Sequence, residues 1–316
     1  MAALHPGASL SVRHEVAHIG AATVETKEVV IMSHAVVVGV DGSAQSTAAA
    51  EWAAHQAHRS GQALRMIHAG GAEPALSAEP VDAAQSLPRP VSDLWDHLSD
   101  VLPGLRISCE HVPGHPAHAL VAAGERGGML VLGSRGLGGL AGLLVGSVAL
   151  RTAAHAACPV VLVRAGEDGD GVGSDVVVGV DSARPSAEVV AFAFEQATER
   201  GAKLRVLESR DLPTGRYVTA APVDPLQITD AVAAAALVRL QDALAPWREK
   251  FPRVPVDAEV TGWPAGRALV EASRSASLVV VGRRTPRIRP ALPGLGAVAH
   301  AVLHHAHSPV AVVPHD

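Results

Sequence analysis

Between Leu132 and Ser147 the chain reads GSRGLGGLAGLLVG, six glycines in fourteen residues, with one arginine and no acid. Glycine lacks the Cβ that keeps a ligand off the backbone, and it tolerates positive φ. Such a segment can turn its peptide N–H groups towards an oxygen-rich guest. It follows an apolar run ending at Gly133 and leads into GSVALRTAAHAA, whose pattern predicts a helix over 146–157. Gly146 and Ser147 would then stand at a helix N-terminus, where amides without carbonyl partners and the helix dipole favour an anion. The Ser147 hydroxyl adds one donor. This is the chemistry of a phosphate cradle, but a flexible connection has the same composition, so spacing must decide.

Three spacings compete. A Walker loop needs GxxxxGK[ST], and no lysine occurs between Lys27 and Lys203, which removes that reading. A dinucleotide fingerprint can be traced as Gly136-x-Gly138-x-x-Ala141. It follows a fourth strand instead of opening a domain, and no acid ends the next strand, as the fingerprint requires. The third spacing is Gly133-x-x-Gly136, nine residues, then Gly146-Ser147.

The elements that must position this loop come from a repeat. VVVGVD occurs at 36–41 and again at 176–181; GQALRMIHA at 61–69 answers GAKLRVLES at 201–209, and HAACPVVLV answers HHAHSPVAVV near the end. In the first copy, strands are expected near 35–40, 63–68, 105–112, 129–133 and 159–163, with helices near 44–60, 89–102, 115–127 and 146–157. In the second, strands are expected near 176–180, 203–208, 254–260, 278–282 and 309–313. Apolar strands separated by helices predict a parallel sheet covered on both faces. The fold class is therefore α/β, as two tandem doubly wound domains of five strands, with ligands outside the carboxyl ends of the strands. The predicted boundaries are a poorly ordered tail at 1–33 (or a short edge strand at EVVIM within it), a first domain at 34–165, a Gly- and acid-rich linker at 166–174, and a second domain at 175–316.

Composition narrows the function. The 316 residues carry a net charge of −5 and no basic block, which argues against a nucleic-acid partner. No apolar run reaches the length of a membrane helix. Cys109 and Cys158 stand far apart with no ligand spacing, a pattern that fits a reduced, cytoplasmic protein.

With Asp41 ending the first strand, CPVVLV as the last strand of the copy, and the GxxG-x9-GS spacing between them, the chain resembles the universal stress protein family in its tandem form. The resemblance covers about 34–316 and implies the ATP-binding branch of the family, with Mg²⁺ arriving on the nucleotide. By that resemblance Asp41 lines the adenine-ribose pocket and Ala69 meets the adenine through its main chain. Gly133 lies by the ribose, and Gly136, Gly146, Ser147 and the Val148 amide hold phosphates. The bare alternative for Asp41 is a cap on the helix that starts at Ala44. Family members pair through their final strands, here 158–164 and 308–314. Both are apolar edges that need covering, and tethering raises their effective concentration to about millimolar. The expectation is an intrachain pair with these strands adjacent and antiparallel; a homodimer and a protein partner remain open.

In the second copy Gly282 stands for Gly133 and Gly296 for Gly146, but no glycine replaces Gly136 and Ala297 replaces the serine. Three prolines and four arginines are expected in its loop, where proline removes donors. Asp181 remains, yet the partner of Gly42 is lost. This site is read as degenerate, with weakened or absent binding both open. The histidines at 55, 58, 300, 304, 305 and 307 are read as helix surface and not as a metal site. No acid pair or nucleophile triad is evident, and a loop without lysine offers little to a transferring phosphoryl group. The expected function is an ATP-binding regulator of the stress response; a slow adenine-nucleotide hydrolase and a non-binding structural dimer are the alternatives.

Overall fold

The computed structural model describes residues 35–70, 87–136, 145–164, 174–210, 225–285 and 294–316. The tail at 1–33 with EVVIM, most of the linker, and the glycines at 138, 139 and 142 lie outside them. The first copy forms β1 (Ala35–Gly39), α1 (Ala44–Ser60), β2 (Leu64–Ala69), α2 (Arg89–Val101), β3 (Ile107–Val112), α3 (Pro116–Gly124), β4 (Gly127–Gly133), α4 (Ser147–His155) and β5 (Val160–Val163). The second forms β6 (Asp175–Gly179), α5 (Ala187–Arg200), β7 (Leu204–Ser209), α6 (Pro225–Lys250), β8 (Val256–Thr261), α7 (Ala265–Ala272), β9 (Ala276–Arg284), α8 (Ala297–His305) and β10 (Val310–His315). Every strand expected from the sequence is present.

The copies repeat each other down to their caps. Ser43 caps α1 by accepting from the Ser46 amide, and Gly61 ends it at φ 67°. Ser186 caps α5 by accepting from Val189, and Gly201 ends it at φ 61°. A short polar residue satisfies the open amides at one end, and a left-handed glycine closes the other.

All ten strands join one sheet in the order β3-β2-β1-β4-β5-β10-β9-β6-β7-β8. Within each module the pairing is parallel. At the centre β5 and β10 run antiparallel, with Val310 opposite Leu162, Ala311 opposite Val161 and Val312 opposite Val160. Val161 and Val310 are buried, at 0% and 3% exposure. The expected intrachain pair is therefore present in the expected sense. Each final strand already has two neighbours, so neither edge remains for a further copy.

The core runs unbroken through this junction. On one face Val161 and Val163 share a cluster with Ala311 and Val313; on the other, Val160 and Leu162 share one with Val310 and Val312. Above the first face α1 meets α5. Arg200 lies over the Trp52 ring at 5.0 Å and donates to Gln56 at 3.0 Å, while Gln56 and Gln196 both donate to Glu199. Burial raises the pKa of the Glu199 carboxyl, against the lowering effect of these donors.

Candidate nucleotide site

A cavity of about 520 Å³ opens at the carboxyl ends of β1, β2 and β4, between the starts of α3 and α4. Its lining includes every first-module residue singled out from the sequence: Asp41, Ala69, Gly133, Gly136, Gly146, Ser147 and Val148. Ile67, Leu120 and Leu132 give it an apolar wall. A slot with an apolar side and a few converging polar groups is what a small-molecule site requires.

Three of the glycines are present for different physical reasons. A Cβ on Gly133 would stand 2.7 Å from the Gln45 carbonyl carbon, so the glycine lets β4 pack against the start of α1. A Cβ on Gly136 would run into the Asp41 carboxylate. Gly146 is otherwise. Its φ of −78° and ψ of 156° suit any residue, and among the described residues a Cβ there would meet nothing nearer than Arg135 Cα at 3.6 Å. Neither backbone conformation nor packing among the described residues asks for glycine at 146.

Gly146 caps α4 without a side-chain acceptor, and its own amide donates to the Ser134 carbonyl at 2.7 Å. The amides of Ser147, Val148 and Ala149 have no carbonyl behind them in the helix. All three residues line the cavity, and no acid occupies the first turn of α4. The positive end of the helix dipole therefore faces the cavity without a counter-charge of its own.

Asp41 is not the cap of α1; Ser43 is. Asp41 Oδ1 accepts from the Ser43 amide at 3.0 Å, and the Asp41 amide donates to Ser46 Oγ at 3.3 Å. The carboxylate thus braces the turn at Gly42, whose φ is 84°. The structure adds two residues that sequence reasoning did not single out. Arg135 lines the mouth and is exposed. His68 also belongs to the lining, with Nδ1 donating to the Val40 carbonyl at 2.9 Å. Arg135 was visible in the glycine stretch as its one cation; His68 was visible as the residue before Ala69.

The second module is built differently at the same place. Its strands β9 and β10 pair two residues beyond Gly282, through Arg283 and Arg284 opposite Pro314 and His315. In the first module β4 and β5 stop at Gly133 opposite Val163. A Cβ on Gly282 would lie 2.7 Å from His315 Nε2, so the imidazole covers that backbone. Glu208 takes the place of His68, is 1% exposed, and is held by Arg210 and Ser182. Asp181 accepts from the Ala183 amide at 3.1 Å, and Gly296 caps α8 with no described atom within 4 Å of where its Cβ would stand. One expectation needs correcting: Arg283 and Arg284 belong to β9 and not to the loop, and Arg283 is buried. The strand extension is the cause. Arg287, Arg289 and the three loop prolines lie outside the described residues.

Among the described residues no group of three or more His, Cys, Asp or Glu could hold a metal ion. The His300 and His304 rings stack at 4.4 Å, and burial followed by the neighbouring His300 lowers the His304 pKa. Both cysteines are free thiols whose pKa burial pushes up to about 11, which leaves little thiolate near neutrality. No described helix is long and apolar enough to cross a membrane.

The fold and the site together define a class: tandem doubly wound α/β proteins with a cavity at a glycine-flanked helix N-terminus. Comparison with known proteins gives the family. The universal stress protein family model matches residues 32–164 and 174–314, and the chain belongs to that family. A universal stress protein of Mycobacterium tuberculosis is 33% identical over 302 residues, covering 88% of this chain and 96% of its own. One from Mycolicibacterium smegmatis is 30% identical over 299 residues, covering 89% and 97%. Among solved structures, a universal stress protein from Archaeoglobus fulgidus superposes with a TM-score of 0.55 at 15% identity, over 89% of this chain and 98% of its own. That likeness concerns the fold.

Proposed function

We propose that this chain is a cytoplasmic ATP-binding regulator of the stress response that holds one nucleotide, in its first module. The observation that carries the reading is Gly146. It is a glycine that neither its conformation nor packing among the described residues demands, at the head of a helix whose first amides face a cavity. A side chain there would occupy the space through which a phosphate reaches those amides. The apolar wall of Ile67, Leu120 and Leu132 suits a base, Asp41 suits a ribose, and Ser147, Val148 and Ala149 suit the phosphates. Mg²⁺ would come bound to those phosphates, since it keeps several waters and takes few protein ligands; Asp41 is the one carboxylate among the described lining residues.

The site is arranged for holding. Arg135 is the one basic side chain besides His68 among the described lining residues, whereas phosphoryl transfer needs cations and a base fixed about the transferring group. Occupancy would bias the conformation of the segment 133–147, and a protein partner would read that state. The test is titration of purified chain with Mg·ATP by calorimetry, alongside phosphate release at saturation. Saturable binding with negligible release is expected. Absence of binding would leave only the structural pair, and sustained release would make the chain an enzyme.

A further inference from the structure

The two modules grip each other's last helices with arginines. Arg164, just past β5, donates to the Leu303 carbonyl in the final turn of α8 at 2.8 Å. Arg283, in β9, donates to the carbonyl of Ala156, the residue that ends α4, at 2.5 Å. The second contact stands out for what it costs. Arg283 is 4% exposed, and its Nε has no hydrogen-bond partner. Burial works against its charge and lowers its pKa. A guanidinium withdrawn from water for one carbonyl is not an economical way to add stability.

The placement of the partner gives the arrangement another use. The Ala156 carbonyl lies at the negative end of α4, among the acceptors a helix leaves open. The helix has nine residues and spans about 13 Å, so its anchored end and its cavity end move as one rod. Arg283 follows Gly282 as Ser134 follows Gly133. In the first module that position supplies the carbonyl that fixes Gly146; in the second it supplies a strut to the other module.

We infer that Arg283 is a positioning residue for the nucleotide site of the first module, setting the seat of α4, and with it the Ser147, Val148 and Ala149 amides, from across the module junction. The inference rests on the ATP reading above. By linkage, phosphate binding at α4 must then tighten the junction by the same factor.

The experiment compares ATP and adenosine, because adenosine uses the base and ribose walls and makes no demand on the α4 amides. Affinities are measured by calorimetry for wild type, Arg283→Met and Arg283→Lys. Methionine keeps the bulk and removes the charge, so no ion is left unpaired. The expected result is a roughly fivefold to tenfold loss of ATP affinity in Arg283→Met, adenosine unchanged within about twofold, and partial recovery in Arg283→Lys. ATP affinity within about twofold of wild type overturns the inference, as does equal weakening of ATP and adenosine, which marks a purely structural role. Should Arg283→Met fail to fold, the same ATP-to-adenosine comparison in Arg283→Lys decides. If wild type binds neither ligand, the nucleotide reading itself has failed; if wild type binds both and Arg283 variants match it, only the strut falls.

Discussion

Replacing Gly146 by valine is the sharpest test of the site, because the fold and the ligand would respond differently. The backbone at 146 is extended, at φ −78° and ψ 156°, which valine favours. Among the described residues a Cβ there meets no atom closer than 3.6 Å. Valine is a poorer helix cap than glycine, so the fold loses about 1 kcal/mol, a shift of about 2 °C in melting temperature for a chain of this length. The ligand loses far more. Hydrogen bonds to charged groups contribute about 1.5–3 kcal/mol each. A branched side chain between the phosphate and the first amides of α4 removes at least two of them. The loss is then about 3 kcal/mol or more, at least 100-fold in ATP affinity. Calorimetry with Mg·ATP reads this directly, and adenosine serves as the control, since the proposed base and ribose contacts lie at the other end of the cavity. ATP binding by Gly146→Val within about threefold of wild type would show that the phosphates lie elsewhere. Gly136→Val is less clean, because its side chain would displace the Asp41 carboxylate and lower affinity through the turn as well as the phosphates.

Calorimetry on the full chain should give one ATP per chain, since His315 covers the Gly282 backbone and buried Glu208 stands where His68 lines the first cavity; two equivalents would refute the degenerate reading. Val161→Asp places an unpaired charge at a position of 0% exposure between β4 and β10 and should cost about 4 kcal/mol or more. The control Val238→Asp, at 55% exposure, should melt like wild type, and equal melting of both variants would remove the junction from the core. Glu199 has its pKa raised by burial, so its folded form prefers the proton: that contribution is present at low pH and is lost as pH rises through the raised value. Denaturation midpoints for wild type and Glu199→Gln should therefore shift in favour of the glutamine variant between the normal carboxylate range and neutrality, and a pH-independent difference would contradict the burial argument.

The fold was legible because it is written twice. VVVGVD at 36–41 and 176–181 makes each β-branched run confirm the other, and β1 and β6 form where the repeats lie. The lining of the candidate cavity was legible because glycine spacing reports backbone approach, which is a local property. What escaped was non-local. Nothing around Gln56 or Glu199 announces that α1 and α5 meet there, because the partners are 143 positions apart. The same holds for Arg283. In sequence it is the first of four arginines entering a loop, and only the register opposite Pro314 shows that the strand has not yet ended.

That register also explains why the two modules differ. A phosphate loop must leave the sheet promptly, as the first module does after Gly133 opposite Val163. Extending β9 and β10 by two residues commits the amides and carbonyls around Arg283 and Arg284 to the sheet, where they cannot turn towards a ligand. It also brings His315 over Gly282, the counterpart of Gly133. Where a glycine loop would begin, the second module instead has a buried arginine that donates to the carbonyl at the end of α4 of the first module, the contact to which we assign the strut role. A tandem chain can use its two copies in this way because the antiparallel β5–β10 junction places β9 of one module within an arginine's reach of α4 of the other. On the proposed reading, loss of the second cradle and support of the first then follow from the same two residues of strand.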